Sequence, residues 1–253
     1  MENQEDVPVP TPAVDASTVM LLRDSAAEGI EVLLLRRHPR SKGFAGAYVF
    51  PGGKVNAADR GLDAACWRSN DLMAKRDEIG AESDQDALGF FVAAVRETFE
   101  EAGILLATRH DGTPLTQEDL DSPAFTEARA RLVSRDTSWS WNEWLRRQHL
   151  MIDLDALSMW SWWVTPLHLP YRFDTRFLVT NVPDRQCASA DRVEATDMRW
   201  SSPRHALQSH HDGAIELRRP TIRNLETLMR YDSVHDIIRT ARRGEIERNR
   251  IQA

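Results

Sequence analysis

Residues Leu88–Ile104 read LGFFVAAVRETFEEAGI, and this stretch organises the chain. Wound as a helix, it sorts into two faces. With Glu97 set at zero, Glu101 falls at about +40° and Glu100 at about −60°, while Leu88, Phe91, Val92, Val95, Phe99 and Ala102 fall between about 120° and about 220°. Three carboxylates share one side and an apolar stripe occupies the other. Gly103 reads as the helix stop, with Ile104-Leu105-Leu106 opening a strand. Upstream lies a second punctuation mark, the turn Phe50-Pro51-Gly52-Gly53.

The plain reading of such a helix is an amphipathic segment with a solvated acidic face. Against it, like charges at i, i+3 and i+4 repel by a few tenths of a kcal/mol unless a cation offsets them. Arg96 is the only neighbouring cation, and no Lys interrupts the cluster. Gly89, Ala93 and Ala94 are small enough for another backbone to approach this face. A hard divalent cation is held by one or a few carboxylates together with substrate phosphate oxygens and water, and this face offers what such a site requires.

Gly53, followed at a distance by Arg96-Glu97-Thr98-Phe99-Glu100-Glu101-Ala102-Gly103-Ile104, resembles the Nudix box, G-x5-E-x7-R-E-U-x-E-E-x-G-U. Thr98 departs from the aliphatic residue at the first U. The spacing departs further: 42 residues separate Gly53 from Arg96 where an uninterrupted box has 13, an excess of 29. The Glu of the first half has no clear counterpart, since Leu88 stands eight residues before Arg96 and Asp86 is off register. An interrupted box preceded by Gly46-Ala47-Tyr48-Val49-Phe50-Pro51-Gly52-Gly53 is similar to the branch that includes the mammalian peroxisomal coenzyme A and acyl-CoA diphosphatase. Leu33-Leu34-Leu35-Arg36-Arg37, Trp163-Val164-Thr165-Pro166 and Arg172-Phe173-Asp174-Thr175-Arg176-Phe177 extend the similarity, which spans roughly residues 17 to 225.

The resemblance implies an α+β fold of the α/β/α Nudix sandwich type, a mixed sheet beside a catalytic helix, with a box insertion and extra C-terminal helices. It implies Mg²⁺ or Mn²⁺ as cofactor. Glu97 and Glu101 are then the main metal ligands, Glu100 completes the site, and Arg96 orients Glu97 or Glu100 through a charge-assisted hydrogen bond. Gly52 and Gly53 bring backbone close to metal and phosphate, where a Cβ would obstruct. Glu194, six residues before Trp200, falls near where many Nudix enzymes carry an extra loop Glu, and an exposed strand-end carboxylate is its plain alternative. Arg36, Arg37, Arg40 and Lys42 form the strongest local cationic cluster ahead of the turn, either a solvated loop or one in which at least one member contacts substrate phosphate.

Composition sets outer limits. The 253 residues are 42% apolar, enough for a sizeable core, and the charge of −7 does not indicate a nucleic-acid-binding surface. Cys66 and Cys187 are too few for a disulfide scaffold. No apolar run approaches a membrane span, and no apolar signal core stands at the N-terminus. The expectation is a cytoplasmic protein, because Ile251-Gln252-Ala253 does not resemble a peroxisomal Ser-Lys-Leu signal. The resemblance also leaves room for a homodimer.

In chain order, residues 1–15, acidic and Pro-rich, read as a mobile tail or an extended arm and 16–253 as one domain. Ser17–Leu22 and Ile30–Arg36 read as paired strands. Residues 57–85 read as an insertion within the box, a helical excursion in which Leu62, Cys66 and Leu72 form one weakly amphipathic helix. Gln117–Ser134 reads as a further helix. Trp139, Trp141, Trp144, Trp160, Trp162 and Trp163 read mostly as core. Strands follow over Ser161–Thr165, Thr175–Thr180 and Val193–Trp200, then a short helix from Ser202-Pro203, in which His205, His210 and His211 show no ligand spacing. Two closing helices span Pro220–Arg230 and Ser233–Arg243.

Function follows as a set of alternatives. The first is a metal-dependent hydrolase that cleaves coenzyme A or acyl-CoA to 3′,5′-ADP and (acyl-)4′-phosphopantetheine. The second is a Nudix hydrolase of another nucleoside diphosphate derivative, ADP-ribose or NADH. The third is a catalytically silent Nudix-fold sensor, which has no need of clustered, mutually repelling acids.

Overall fold

The apolar runs Val19–Leu22 and Val32–Leu35 are buried throughout, so each must be covered on both faces. In the computed structural model, which describes residues 11–41, 44–245 and 250–252, they lie in the strands Val14–Ser25 and Gly29–Arg37, an antiparallel hairpin with Leu22 opposite Val32. Alternation along these strands divides two cores. Val19, Leu21, Leu33 and Leu35 pack with the box helix, and Met20, Leu22, Val32 and Leu34 pack with the C-terminal helices. The layers are therefore helix, sheet, helix.

The sheet is mixed. Phe173–Asn181 lies parallel beside Val14–Ser25, Ser158–Val164 runs antiparallel to Phe173–Asn181, and Ala195–Ser201 runs antiparallel to Gly29–Arg37. Arg250–Gln252 adds a parallel edge to Ser158–Val164. The first strand starts at Val14, inside the stretch read as a tail, because the Val14 N–H donates to the Arg172 carbonyl at 2.9 Å. Residues 1–10, Lys42 and Ala253 lie outside the described residues.

The box helix spans Asp84–Ala102, capped by Ser83, whose hydroxyl accepts from the Asp86 N–H, and ended by Gly103 at φ 68°. It is buried on both sides: the apolar stripe, Gly89, Ala93, Ala94, Glu100 and Glu101 are all buried. Behind it the Trp cluster forms core, with Trp144 stacked on Phe99 at 5.9 Å and on Trp141 at 5.2 Å.

Four local readings are corrected. Ile104–Leu106 forms no strand, since the Gln186 side chain takes the place of a neighbouring strand: its Oε1 accepts from the Leu105 N–H at 2.9 Å and its Nε2 donates to the Leu105 carbonyl at 3.1 Å. The helix expected over Gln117–Ser134 breaks at Ser122 into Gln117–Asp121 and Pro123–Val133, because Pro123 supplies no N–H and is suited to a first helical position. Leu62, Cys66 and Leu72 do not share a helix. The segment folds as a 3₁₀ turn at Ala64–Cys66 and a helix at Leu72–Ile79, with Asp63 and Asp71 capping their N-termini. Capping explains why these acids follow no helical register. The strand read over Val193–Trp200 begins at Ala195, leaving Glu194 in the preceding loop. His210 serves structure, its Nδ1 lying 3.2 Å from the Ile215 carbonyl.

Among the described residues no helix is long and apolar enough to cross a membrane. Trp144 seals the rear of the box helix, so Trp144→Ala is expected to destabilise the fold by about 3–5 kcal/mol, measured by urea denaturation.

Candidate active site

The Gly52–Lys54 strand pairs with Ala16–Thr18 and brings the Pro-Gly-Gly turn against the box helix. The Gly52 N–H donates to Glu101 Oε2 at 2.9 Å. A Cβ on Gly53 would stand 2.4 Å from the Glu97 carboxyl carbon, and one on Gly52 would stand 2.4 Å from the Ser17 carbonyl oxygen. Both glycines are therefore required by close approach, and the turn and the acids form one unit.

Arg96 is buried beneath this unit. Its Nε and Nη2 donate to the two Asp59 carboxylate oxygens at 2.9 Å each, its Nη2 also donates to the Lys54 carbonyl at 2.9 Å, and its Nη1 donates to Glu97 Oε1 at 2.7 Å. Glu100 Oε2 lies 3.7 Å from Nη1. The sequence reading missed Asp59, yet the signal was present: it stands six residues after Gly53, where the box has Glu. Asp59 is 1% exposed. The shorter carboxylate fills the position, and the whole excess of the box lies between Asp59 and Arg96. Ala57–Asp59 thus belong to the box itself, and the inserted residues begin after them.

The three acids of the box helix lie close together, Glu100 and Glu101 buried, with Arg96 touching Glu97 and Glu100. Burial and then the charge of Glu97 push Glu100 up to about 7. Burial, followed by Glu97, holds Glu101 well above the ordinary carboxylate range, against the opposing Gly52 N–H and Arg37. Burial also raises Glu97, with Arg96 opposing. The charge of Glu194 acts on all three in the same direction.

Glu194 is held by its loop. Asp191 Oδ1 accepts from the backbone N–H groups of Val193, Glu194 and Ala195 at 2.6, 2.9 and 3.0 Å. The side chain of Glu194 pairs with Arg135. Arg129 ties this loop to the end of the box helix: its Nε donates to the Glu100 carbonyl at 3.0 Å and its Nη1 to Ser189 Oγ at 2.7 Å. Gly103 makes room for both, since a Cβ there would stand 2.7 Å from Arg129 Nη1 and from Ser189 Oγ. Arg129 and Arg135 carry no motif signal and were not anticipated.

The cationic cluster divides. Arg37 is half-buried on the side of Glu101, whose proton affinity its charge lowers. Arg36 alternates to the other face of the strand, exposed and opposite Tyr48 and Asp197, and Arg40 is exposed in the next turn. Arg36 and Arg37 thus face opposite ways, as neighbouring strand residues do, and the substrate-phosphate role read for at least one member of the cluster is carried below as a proposal for Arg37.

No three His, Cys, Asp or Glu side chains among the described residues are poised together as a ready metal cage. The cluster's buried, mutually repelling carboxylates fit a divalent cation that completes its shell with substrate phosphate and water.

A carboxylate-bearing helix beside a mixed sheet, locked to a Pro-Gly-Gly turn by a buried Arg, is the arrangement of a Nudix hydrolase. The family model of the NUDT19 Nudix domain matches residues 68–228, and the chain belongs to that family. It is 29% identical to the human acyl-coenzyme A diphosphatase NUDT19 over 85% of this chain and 64% of that protein. It is 31% identical to the Gallus gallus protein of the same name over 82% of this chain and 63% of that one. The chain thus spans less than two thirds of these relatives. The crystal structure of a NUDIX hydrolase from Alicyclobacillus acidocaldarius superposes with a TM-score of 0.75 at 28% identity, covering 91% of this chain and 97% of that one.

Two outcomes are expected. Asp59→Ala strands a buried guanidinium and should destabilise the protein by about 3–5 kcal/mol in urea denaturation. The raised carboxyls give metal-free protein a pH dependence of definite sign. Between the unfolded value near 4.5 and the folded value near 7 of Glu100, the native state binds more protons than the unfolded one, so stability falls as pH rises through that window. Added Mg²⁺ should therefore raise Tm more at pH 8 than at pH 6 in thermal melts.

Proposed function

We propose that the chain is a Mg²⁺- or Mn²⁺-dependent hydrolase of the diphosphate in coenzyme A or acyl-CoA, releasing 3′,5′-ADP and (acyl-)4′-phosphopantetheine. The observation that supports the reading is the close approach of Glu97 and Glu101 to the Gly52-Gly53 turn, in a chain whose relatives are named acyl-coenzyme A diphosphatases.

Divalent ions held by Glu97 and Glu101, with Glu100 completing the set, supply charge neutralisation at the phosphoryl oxygens and a more acidic water. The protein's own contributions follow from the geometry. Arg96 fixes the Glu97 carboxylate through the 2.7 Å bond and is itself fixed by Asp59. The Gly52 N–H holds Glu101 at one oxygen and leaves the other for a ligand. Glu194, on its Asp191-braced loop, would bind metal or take a proton from water. Arg37 adds positive charge beside Glu101, on the side where an anionic substrate needs it.

The test is product analysis with Mg²⁺ on coenzyme A, dephospho-coenzyme A, ADP-ribose and NADH. Release of 3′,5′-ADP from coenzyme A, with dephospho-coenzyme A clearly poorer, is the expected outcome. Glu101→Gln should retain the fold by circular dichroism and lose turnover. Hydrolysis of ADP-ribose or NADH alone would refute the coenzyme A reading, and silence on the whole panel would favour a sensor.

A further inference from the structure

Arg135 is set in a place that suits Gly better. It follows Ser134, the C-cap of the Pro123–Val133 helix, and adopts the left-handed conformation at φ 54°. Its N–H donates to the Leu132 carbonyl at 2.8 Å, and the next N–H, of Asp136, reaches back to the Arg131 carbonyl at 3.0 Å. This is the helix end at which Gly is the common residue, because a Cβ is disfavoured there. A long side chain at such a position calls for a compensating role.

The side chain is 75% exposed, yet its guanidinium pairs with Glu194 at the rim of the acidic cluster. A surface ion pair alone offers little stability. The other cations near the acids are differently disposed. Arg96 is 7% exposed in its side chain and already donates to Asp59, Lys54 and Glu97. Arg129 donates to backbone carbonyls and Ser189, and serves to brace the loop. Arg135 alone among these three reaches the cluster from solvent, and its planar fork matches two phosphate oxygens as well as it matches a carboxylate.

We propose that Arg135 contacts the substrate: it holds Glu194 in the free protein and turns to non-bridging phosphate oxygens when a diphosphate binds at the carboxylate cluster. The exchange releases Glu194 at the moment substrate arrives, so one side chain both stores the carboxylate and receives the phosphate. This inference rests on the hydrolase reading for the identity of the substrate, but not for the binding of a diphosphate.

The left-handed backbone makes the experiment selective. Arg135→Gly removes the guanidinium and relieves the backbone, whereas Arg135→Lys keeps a charge and loses the fork. We expect Arg135→Gly to have a Tm equal to or above that of the unsubstituted protein, with kcat/KM on coenzyme A lower by at least about tenfold and Arg135→Lys between the two. In parallel, thermal melts with Mg²⁺ and inorganic pyrophosphate should show stabilisation of the unsubstituted protein that Arg135→Gly loses. That second readout needs no assigned substrate. If coenzyme A is not turned over but the pyrophosphate effect disappears in Arg135→Gly, the role of Arg135 stands and the substrate reading falls. The inference is overturned if both readouts stay within about twofold in Arg135→Gly, if that variant melts lower, or if pyrophosphate fails to stabilise the unsubstituted protein.

Discussion

The site depends on one buried cation. Arg96 joins Asp59 from the short helix after the Pro-Gly-Gly turn, the Lys54 carbonyl and Glu97 from its own helix. A guanidinium at this depth must have its donors paired, because an unpaired buried charge is costly. Meeting that demand brings together Asp59 and Arg96, which are 37 residues apart in sequence. The inserted residues between them loop out and return without disturbing the pairing. The interruption of the box is thus tolerated because the contact is made in space.

The same Arg leaves the acidic cluster short of charge. Glu100 and Glu101 are as buried as Arg96, at 6% exposure each; Glu100 shares Arg96 with Glu97 and Asp59, and Glu101 accepts the Gly52 N–H. Their raised proton affinities express that shortage. Such a cluster is a poor contributor to stability, and under the proposed metal-dependent reading a divalent cation would offset its repulsion.

The insertion is fastened as carefully as the box. Arg176 lies between Trp162 and Phe90, 3.8 Å and 4.5 Å from their ring centres, and donates to the Ile79 carbonyl at the end of the Leu72–Ile79 helix. Lys75 from the same helix donates to the Leu157 carbonyl at 2.6 Å. Cationic side chains with long apolar stems serve here as struts that both pack and hydrogen-bond. The segment is therefore built into the sheet edge and the box helix alike.

What the sequence by itself determined is local. The period of the apolar residues in Leu88–Ala102, the stop at Gly103, the closing helices and the apolar runs Val19–Leu22 and Val32–Leu35 all follow from side-chain pattern, since burial of a stripe depends on spacing along one element. The three acids of the box helix share a face for the same reason. What only the tertiary structure decided is long-range pairing. Asp59 as partner of Arg96, Gln186 standing in for a strand beside Leu105, Arg129 and Arg135 at the loop of Glu194, and the parting of Arg37 from Arg36 each depend on which element lies alongside. Sequence periodicity describes one element at a time, whereas a buried polar group takes its partner from whichever chain segment the packing brings within hydrogen-bond reach.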